Sequence, residues 1–226
     1  MPGRCAFWTQ HMTEVWLVRH GETSWNVEGR VQGWEDIPLN DNGIGQARAL
    51  GDHLARLAQA GSPIDAIYTS DLERAHHTAR IVGEATGLAP VVEPGMRERN
   101  FGVLQGLIYS MMDAHQPEAA RVWRSRDPDG ELPQGETLRA FHTRVIKALN
   151  DLAALHPQQR VIVVSHGGAM DVIWRHASQV DLQAPRVAPL LNASINRLQI
   201  GPDRWKIIEW GDVGHLEQSS ANDVTP

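Results

Sequence analysis

Cysteine is almost absent from this chain: Cys5 is the one example in 226 residues, so no internal disulfide can form. Disulfides persist in oxidising compartments, and their absence is typical of proteins from a reducing compartment such as the cytoplasm. The sequence also lacks any apolar run near the roughly 20 residues that a membrane-spanning helix needs. We therefore expect a cytoplasmic protein that does not bind a membrane.

The chain also lacks an excess of basic over acidic residues. The chain has 21 lysine and arginine residues against 27 aspartate and glutamate residues, which gives a net charge of −6. Proteins that bind nucleic acids or membrane surfaces normally present a basic face. We therefore expect a small-molecule partner and no nucleic acid. The sequence leaves the oligomeric state open, with a homodimer among the alternatives.

The two ends of the chain differ from its middle. Residues 1–12 lack the basic start and long apolar stretch of a signal peptide, so we expect an N-terminal extension without regular structure. Residues 217–226 are polar and predict a tail. No repeat or linker divides residues 13–216, and 42% of the chain is hydrophobic, so we expect one domain with a sizeable core.

Strands and helices alternate along the chain. Short apolar runs predict strands at 15–18, 66–68, 91–92 and 161–164, and helical spacing predicts helices near 42–60, 71–86, 137–155 and 169–177. A hairpin is predicted from 194–200, a turn at 201–203, and 204–210. This order predicts an α/β three-layer sandwich, with a mostly parallel central sheet and helices on both faces. Residues 105–135 break the alternation and predict a small helical insertion over the active site.

The first long helix carries its own boundary signals. Apolar residues recur at helical spacing through 42–60. Asp41 or Asn42 can cap its start, because short polar side chains accept bonds from free backbone amides. Gly61 can end the helix, since glycine readily adopts the left-handed conformation found there.

Polar residues gather where the predicted strands end. Arg19-His20-Gly21 follows the first strand, Arg74 lies soon after the second, and Ser165-His166-Gly167 follows the strand at 161–164. The carboxyl ends of parallel strands meet at one edge of a sheet, where ligands bind, so these side chains should converge. A further segment, residues 97–102, follows the short strand at 91–92 and supplies the carboxylate of Glu98.

These residue types suit phosphoryl transfer. Arg19 and Arg74 offer planar forks that match phosphate oxygens, and fixed positive charge stabilises the transition state. His20 can attack phosphorus through one ring nitrogen when a backbone carbonyl holds the other as a donor. His166, if protonated, adds positive charge, and Glu98 can protonate the leaving alcohol.

Short motifs spread from about Thr13 to Leu216 carry a family resemblance. They are Arg19-His20-Gly21-Glu22-Thr23 with Trp25-Asn26, Gly33-Trp34 with Asp36, Leu39 and Gly43, Ser70-Asp71-Leu72 with Arg74-Ala75, Glu98 with Phe101-Gly102, Gly135-Glu136-Thr137, and Ser165-His166-Gly167. Together these motifs resemble the phosphoglycerate mutase-like branch of the histidine phosphatase superfamily.

The resemblance implies an enzyme that works through a phosphohistidine and uses no metal and no cofactor. It implies that His20 is phosphorylated, while Arg19, Arg74 and His166 hold the phosphoryl group. Glu98 would protonate the leaving group and then activate water. A second set, which would bind substrate, consists of Thr23, Asn26, Gln32, Gly33 and Gly167.

Some positions depart from a glycolytic mutase. Gly168 stands where a mutase has asparagine, Phe101 where it has tyrosine, and Tyr109 near the place of a substrate-binding lysine. The mutase's paired arginines become Arg124-Ser125-Arg126 in a shorter insertion. These changes favour a phosphatase acting on a small phosphomonoester, although Gln105-Gly106-Leu107 still resembles the mutase.

Two alternatives stand beside the phosphatase. One is a phosphoglycerate mutase, which transfers phosphate between the 2- and 3-positions of glycerate. The other is a non-catalytic regulatory domain on the same fold. The complete catalytic set argues against that second alternative: Arg19, His20, Arg74, Glu98 and His166.

Overall fold

The computed structural model describes residues 12–202 and 204–216. The expected tail at 217–226 and all but Met12 of the expected extension lie outside the described residues, as does Asp203 of the hairpin turn. The described residues contain one six-stranded sheet whose strand order is β3-β2-β4-β1-β5-β6. Its strands are β1 (Thr13–Arg19), β2 (Ala66–Thr69), β3 (Pro90–Val92), β4 (Arg160–Ser165), β5 (Ile195–Gly201) and β6 (Arg204–Asp212).

Seven α-helices accompany the sheet in the described ranges. They are α1 (Ser24–Val27), α2 (Asp41–Gln59), α3 (Glu73–Thr86), α4 (Met112–His115), α5 (Pro117–Ser125), α6 (Leu138–Leu155) and α7 (Gly167–Ser178). None of these helices has the length and apolar character needed to cross a bilayer.

The sheet is parallel on one side and antiparallel on the other. Strands β1, β2, β3 and β4 pair in parallel, whereas β5 runs antiparallel to both β1 and β6. The α/β fold with a mostly parallel sheet is therefore confirmed. The hairpin at the end of the chain supplies the antiparallel edge.

Alternate residues of β1 face two separate cores, as the two-residue period of a strand dictates. Val15 and Leu17 pack with α6 and α7, while Trp16 and Val18 pack with α2 and α3. Covering both faces makes the three layers, and it explains why β1 and β4 are continuous apolar runs.

The start of α2 differs from the prediction. Asn40, not Asp41 or Asn42, is the cap, because its extended backbone places its side-chain oxygen 2.8 Å from the Gly43 amide. Asn42 instead donates to the Glu22 carboxylate at 3.1 Å. Gly61 follows Ala60 at the other end with a φ of +90°, the left-handed conformation that glycine adopts at little cost.

The insertion after residue 104 is helical, and it shares a small separate core with neighbouring segments. That core contains Val31, Leu104, Met112, Ala119, Ala120 and Leu132. Backbone hydrogen bonds tie it to the segment before α2: the Val31 amide donates to Leu107 at 2.9 Å, and the Gly106 amide donates to Val31 at 2.9 Å. These bonds fix the insertion above the carboxyl edge of the sheet.

Candidate functional site

Three strand ends meet at the carboxyl edge of the sheet. Arg19 pairs in register with Ser165, and Thr69 pairs with Val164. The His20 amide then donates to the Ser165 carbonyl at 3.0 Å, which continues the ladder one residue beyond β1. The parallel register thus brings the segments after β1, β2 and β4 together, as their motifs predicted.

A small cavity of about 70 Å³ opens at this edge, and Arg19, His20, Arg74 and Glu98 line its wall. We call it the catalytic cavity. His166 lies against it, with its ring centroid 5.2 Å from that of His20. Both imidazoles are buried. Four residues from the predicted substrate-binding set also line the cavity: Asn26, Gln32, Gly33 and Gly167.

The ring of His20 is held in one tautomer. Its Nδ1 lies 2.7 Å from the Gly21 carbonyl oxygen, which can only accept, so a neutral ring must carry its proton on Nδ1. Nε2 then keeps its lone pair. A nucleophilic nitrogen therefore belongs to a side chain that lines the catalytic cavity.

Both histidines are neutral in this structure. Burial lowers the pKa of His20 well below its ordinary value of 6.5, and the charges of Arg74 and Arg19 lower it further. Burial also lowers the pKa of His166 well below 6.5, with Arg74 and His20 adding to the effect. The protonated form of His166 is thus disfavoured here, because a cation would enter a buried site that already holds two guanidinium groups.

We expect neither imidazole of the folded protein to titrate near pH 6.5, because burial lowers both pKa values well below it. In the unfolded chain both should titrate near about 6.5, so the unfolded state binds more protons around this pH and stability falls as the pH drops below that value. Nitrogen NMR shifts of the imidazole rings, assigned with His20→Gln and His166→Gln, measure this directly. Urea-unfolded protein is the control. Titration of either ring near pH 6.5 in the folded protein contradicts the expectation.

Arg74 is placed to hold an anion. Its Nη1 and Nη2 donate to the carbonyls of Glu35 and Gly33 at 2.8 and 2.7 Å. Its buried Nε has no hydrogen-bond partner among the described residues. Burial lowers the pKa of Arg74 to about 10, so the guanidinium stays charged at neutral pH. The charged guanidinium of Arg74 therefore has an unused donor with which it can bind a phosphate oxygen.

Backbone amides fix the carboxylate of Glu98. Oε1 accepts from the Arg99 amide and Oε2 accepts from the Gly168 amide, each at 2.8 Å. A Cβ built on Gly168 would lie 2.2 Å from Oε1 of Glu98. The absent side chain at Gly168 is therefore what leaves room for Glu98 in this position.

A half-buried ion pair supports the segment that carries Glu98. Arg144 donates to the carbonyl of Glu98 at 3.1 Å, and it pairs with Glu136 at 2.8 Å. Glu136 in turn accepts from the Asn100 amide at 2.9 Å. Sequence reasoning quoted Gly135-Glu136-Thr137 as a motif without a role and missed Arg144. The Gly135-Glu136-Thr137 motif was the sequence signal that could have led to this ion pair.

Thr23 serves the local fold instead of lining the catalytic cavity. Its side chain is fully buried, and its hydroxyl caps α1 by accepting from the Asn26 amide at 3.2 Å. The Asn26 side chain returns the contact by accepting from the Thr23 amide at 3.1 Å, which makes a capping box. Thr23 thus holds Asn26 in the cavity wall, and the substrate-binding role of Thr23 stays a prediction.

Gly33 has a backbone conformation that requires glycine. Its φ is +53°, and a Cβ there would lie 2.2 Å from the side-chain oxygen of Gln105. That oxygen accepts from the Trp34 amide at 2.8 Å. Next to it, the buried Oε1 of Gln32 has no hydrogen-bond partner among the described residues.

A loop that contains Leu190, Asn192 and Ala193 contacts Arg19 and His20. The sequence analysis did not identify this loop. Asn192 donates to the His20 carbonyl at 2.9 Å, and the Ala193 amide donates to the Arg19 carbonyl at 3.0 Å. Arg19 also donates to the Leu190 carbonyl. The loop carries no motif and no periodic pattern, so no sequence signal pointed to it.

The described residues contain no group of three or more His, Cys, Asp or Glu side chains placed to hold a metal ion. The positive charge of the catalytic cavity comes instead from guanidinium groups and from the first turn of α7. Gly167 lies in that turn, where free backbone amides and the helix dipole favour an anion.

Comparison with known proteins supports the same chemistry. The model of the histidine phosphatase superfamily (branch 1) matches residues 15–213. A metal-independent phosphoserine phosphatase of Arabidopsis thaliana is 39% identical over 207 residues, which cover 91% of this chain and 84% of the relative. Phosphoglycerate mutase-like protein 4 of the same plant is 37% identical over 209 residues, with 91% and 88% covered.

A solved structure agrees with these relatives. The mycobacterial glucosyl-3-phosphoglycerate phosphatase superposes with a TM-score of 0.75 at 28% identity, covering 88% of this chain and 99% of that chain. The similarity therefore extends over most of this chain and nearly all of that one.

Proposed function

Because the chain belongs to the histidine phosphatase superfamily (branch 1), we propose that it is a metal-independent phosphatase that hydrolyses a small phosphomonoester through phosphorylated His20. One observation carries the proposal: the neutral ring of His20, held by Gly21, keeps the lone pair of Nε2 in a cavity lined by two arginines. This pairs a nucleophile with the charge that its reaction develops.

The first step forms a phosphohistidine. Nε2 of His20 attacks phosphorus, and the bond from phosphorus to the ester oxygen breaks. Arg19, Arg74 and the amides at the start of α7 stabilise the charge on the equatorial oxygens. The leaving oxygen takes a proton from the Glu98 carboxyl group, which becomes a carboxylate.

The second step frees His20. The Glu98 carboxylate takes a proton from water, the water oxygen attacks phosphorus, and the bond from phosphorus to Nε2 breaks. Inorganic phosphate leaves, and Glu98 is protonated for the next turnover. The amides of Arg99 and Gly168 hold the carboxylate in place throughout.

We also propose a cytoplasmic location and small-molecule substrates. The single cysteine and the acidic balance of the chain support both. The size of the catalytic cavity, about 70 Å³, suits a phosphoryl group better than a macromolecular surface.

Product analysis separates the phosphatase from the mutase. The chain is incubated with 3-phosphoglycerate and 2,3-bisphosphoglycerate, and both inorganic phosphate and 2-phosphoglycerate are measured. We expect phosphate release without rapid isomerisation, because Gly168 and Phe101 replace residues that a mutase uses. Rapid formation of 2-phosphoglycerate without net phosphate release contradicts the phosphatase and favours the mutase.

A further inference from the structure

One tripeptide contacts both an arginine of the catalytic cavity and the proposed general acid. The carbonyls of Gly33 and Glu35 accept from the guanidinium of Arg74 at 2.7 and 2.8 Å. Between these two residues, the indole Nε1 of Trp34 donates to the carbonyl of Glu98 at 2.8 Å. The tripeptide therefore connects the group that would bind the phosphoryl oxygens with the group that would protonate the leaving oxygen.

Trp34 itself does not line the catalytic cavity, whereas Arg74 and Glu98 do. Its side chain is half-buried. Its backbone is held as well, because the amide of Trp34 donates to the side-chain oxygen of Gln105 at 2.8 Å. An effect of this indole on the reaction would therefore pass through the residues that it contacts and not through the substrate.

A stacked arginine fixes the indole of Trp34. The guanidinium of Arg97 lies over the ring, with its Cζ 4.7 Å from the ring centroid. Asp71 holds Arg97 in turn: Nε of Arg97 donates to Oδ1 at 2.6 Å, and Nη2 donates to Oδ2. Two parallel bonds fix the orientation of a guanidinium, so the plane of the stacked indole and the direction of its N–H are constrained too.

The carbonyl of Glu98 has two donors. Trp34 supplies one bond, and Arg144 supplies the other at 3.1 Å. A carbonyl oxygen has two lone pairs, so both are used. Two backbone amides hold the carboxylate of the same residue. Of the two carbonyl donors, Trp34 is the one whose neighbours in the chain also hold Arg74.

We infer that Trp34 is a positioning residue that sets the place of the Glu98 carboxyl group relative to a phosphoryl group bound by Arg74. This inference rests on the proposed phosphatase function and adds a residue to it. Proton transfer needs the acid within hydrogen-bond reach of the leaving oxygen, and a displacement of about 1 Å can cost a large part of the rate. The inference also gives a role to the tryptophan of the Gly33-Trp34 motif, which the phosphoryl-transfer chemistry alone leaves unexplained.

Trp34→Phe tests the inference, because it removes the indole N–H and keeps an aromatic ring beneath Arg97. Phenyl phosphate and p-nitrophenyl phosphate have similar shapes, but the leaving oxygen of phenyl phosphate is more basic and needs more protonation. We expect kcat/KM, which reports formation of the phosphohistidine, to fall by about tenfold or more for phenyl phosphate and by less than about twofold for p-nitrophenyl phosphate. Inhibition by inorganic phosphate should stay unchanged, because backbone carbonyls still hold Arg74.

Trp205→Phe is the matched control. The indole of Trp205 also donates one hydrogen bond, to the side chain of Asn150 at 3.1 Å, and Trp205 does not line the catalytic cavity. Both kcat/KM values should stay at the wild-type level in this variant. A double variant shows whether Trp34 acts through Glu98. In the Glu98→Gln background, where the acid is already absent, Trp34→Phe should cause no further loss on phenyl phosphate.

The outcomes separate this inference from the proposed function. Hydrolysis of p-nitrophenyl phosphate and phosphorylation of His20 report the phosphatase itself. If both are present, three results would show that Trp34 does not position the general acid: no loss in Trp34→Phe, equal losses on the two esters, or a further loss on phenyl phosphate in the Glu98→Gln background. If neither is present, the proposed function is wrong and the inference fails with it.

Discussion

Replacing His20 with alanine should abolish turnover, lowering kcat by at least about a thousandfold for every phosphomonoester, because the covalent route then lacks its nucleophile. The fold should survive. The backbone of His20 makes its own bonds, to the Ser165 carbonyl and from the Asn192 side chain, and neither involves the imidazole. The substitution also removes a buried imidazole, and burial disfavours the protonated form of that ring.

Rapid quenching followed by mass spectrometry checks this result. Wild type should carry a phosphoryl group on the peptide that contains His20, and His20→Ala should carry none. His115→Ala is the matched control, since His115 is exposed and does not line the catalytic cavity. Phosphatase activity that survives in His20→Ala would overturn the covalent mechanism.

Much of this site could be predicted because its parts lie at the ends of parallel strands. Arg19, His20, Arg74 and His166 each follow an apolar run, and the parallel pairing of β1, β2 and β4 brings those runs to one edge. The family resemblance, now confirmed, carried the same residues. The strands were predicted to within a few residues because their apolar runs are continuous and bounded by polar turns.

The supporting residues could not be predicted, since their roles depend on contacts between distant segments. Asn192 lies in an irregular loop, and Arg144 reaches the carbonyl of Glu98 from the middle of α6. No local pattern encodes either contact. The cap of α2 was misplaced by one or two residues for a related reason: adjacent polar residues, 40–42, all have side chains able to cap, and the backbone angle decides among them.

The protonation of His166 is another property that the sequence could not supply. Its residue type permits either state near neutral pH, and its surroundings decide. Here the ring is fully buried beside Arg74, and so it is neutral. The positive charge of the site therefore comes from guanidinium groups and from the first turn of α7, and not from His166.

Gly168→Ala should cost most of the activity while leaving the fold intact. The added Cβ would lie 2.2 Å from Oε1 and 2.9 Å from Cδ of Glu98, which is impossible without movement. The obstacle is the end of a flexible side chain, so Glu98 moves and the backbone does not. Glu98 then loses its place beside the leaving oxygen, and with it a contribution of roughly 10²- to 10⁴-fold from proton transfer.

Leaving-group dependence distinguishes this effect from general damage. Alkyl phosphates need their leaving oxygen protonated, whereas p-nitrophenyl phosphate needs little help, so Gly168→Ala and Glu98→Gln should both slow alkyl substrates far more than the aryl one. Gly45→Ala is the control: Gly45 is an exposed residue of α2, and its added Cβ would meet nothing within 4 Å. That variant should keep full activity and gain up to about 1 kcal/mol in free energy of unfolding. Equal slowing of alkyl and aryl substrates by Gly168→Ala would mean that the missing side chain at 168 does not position Glu98.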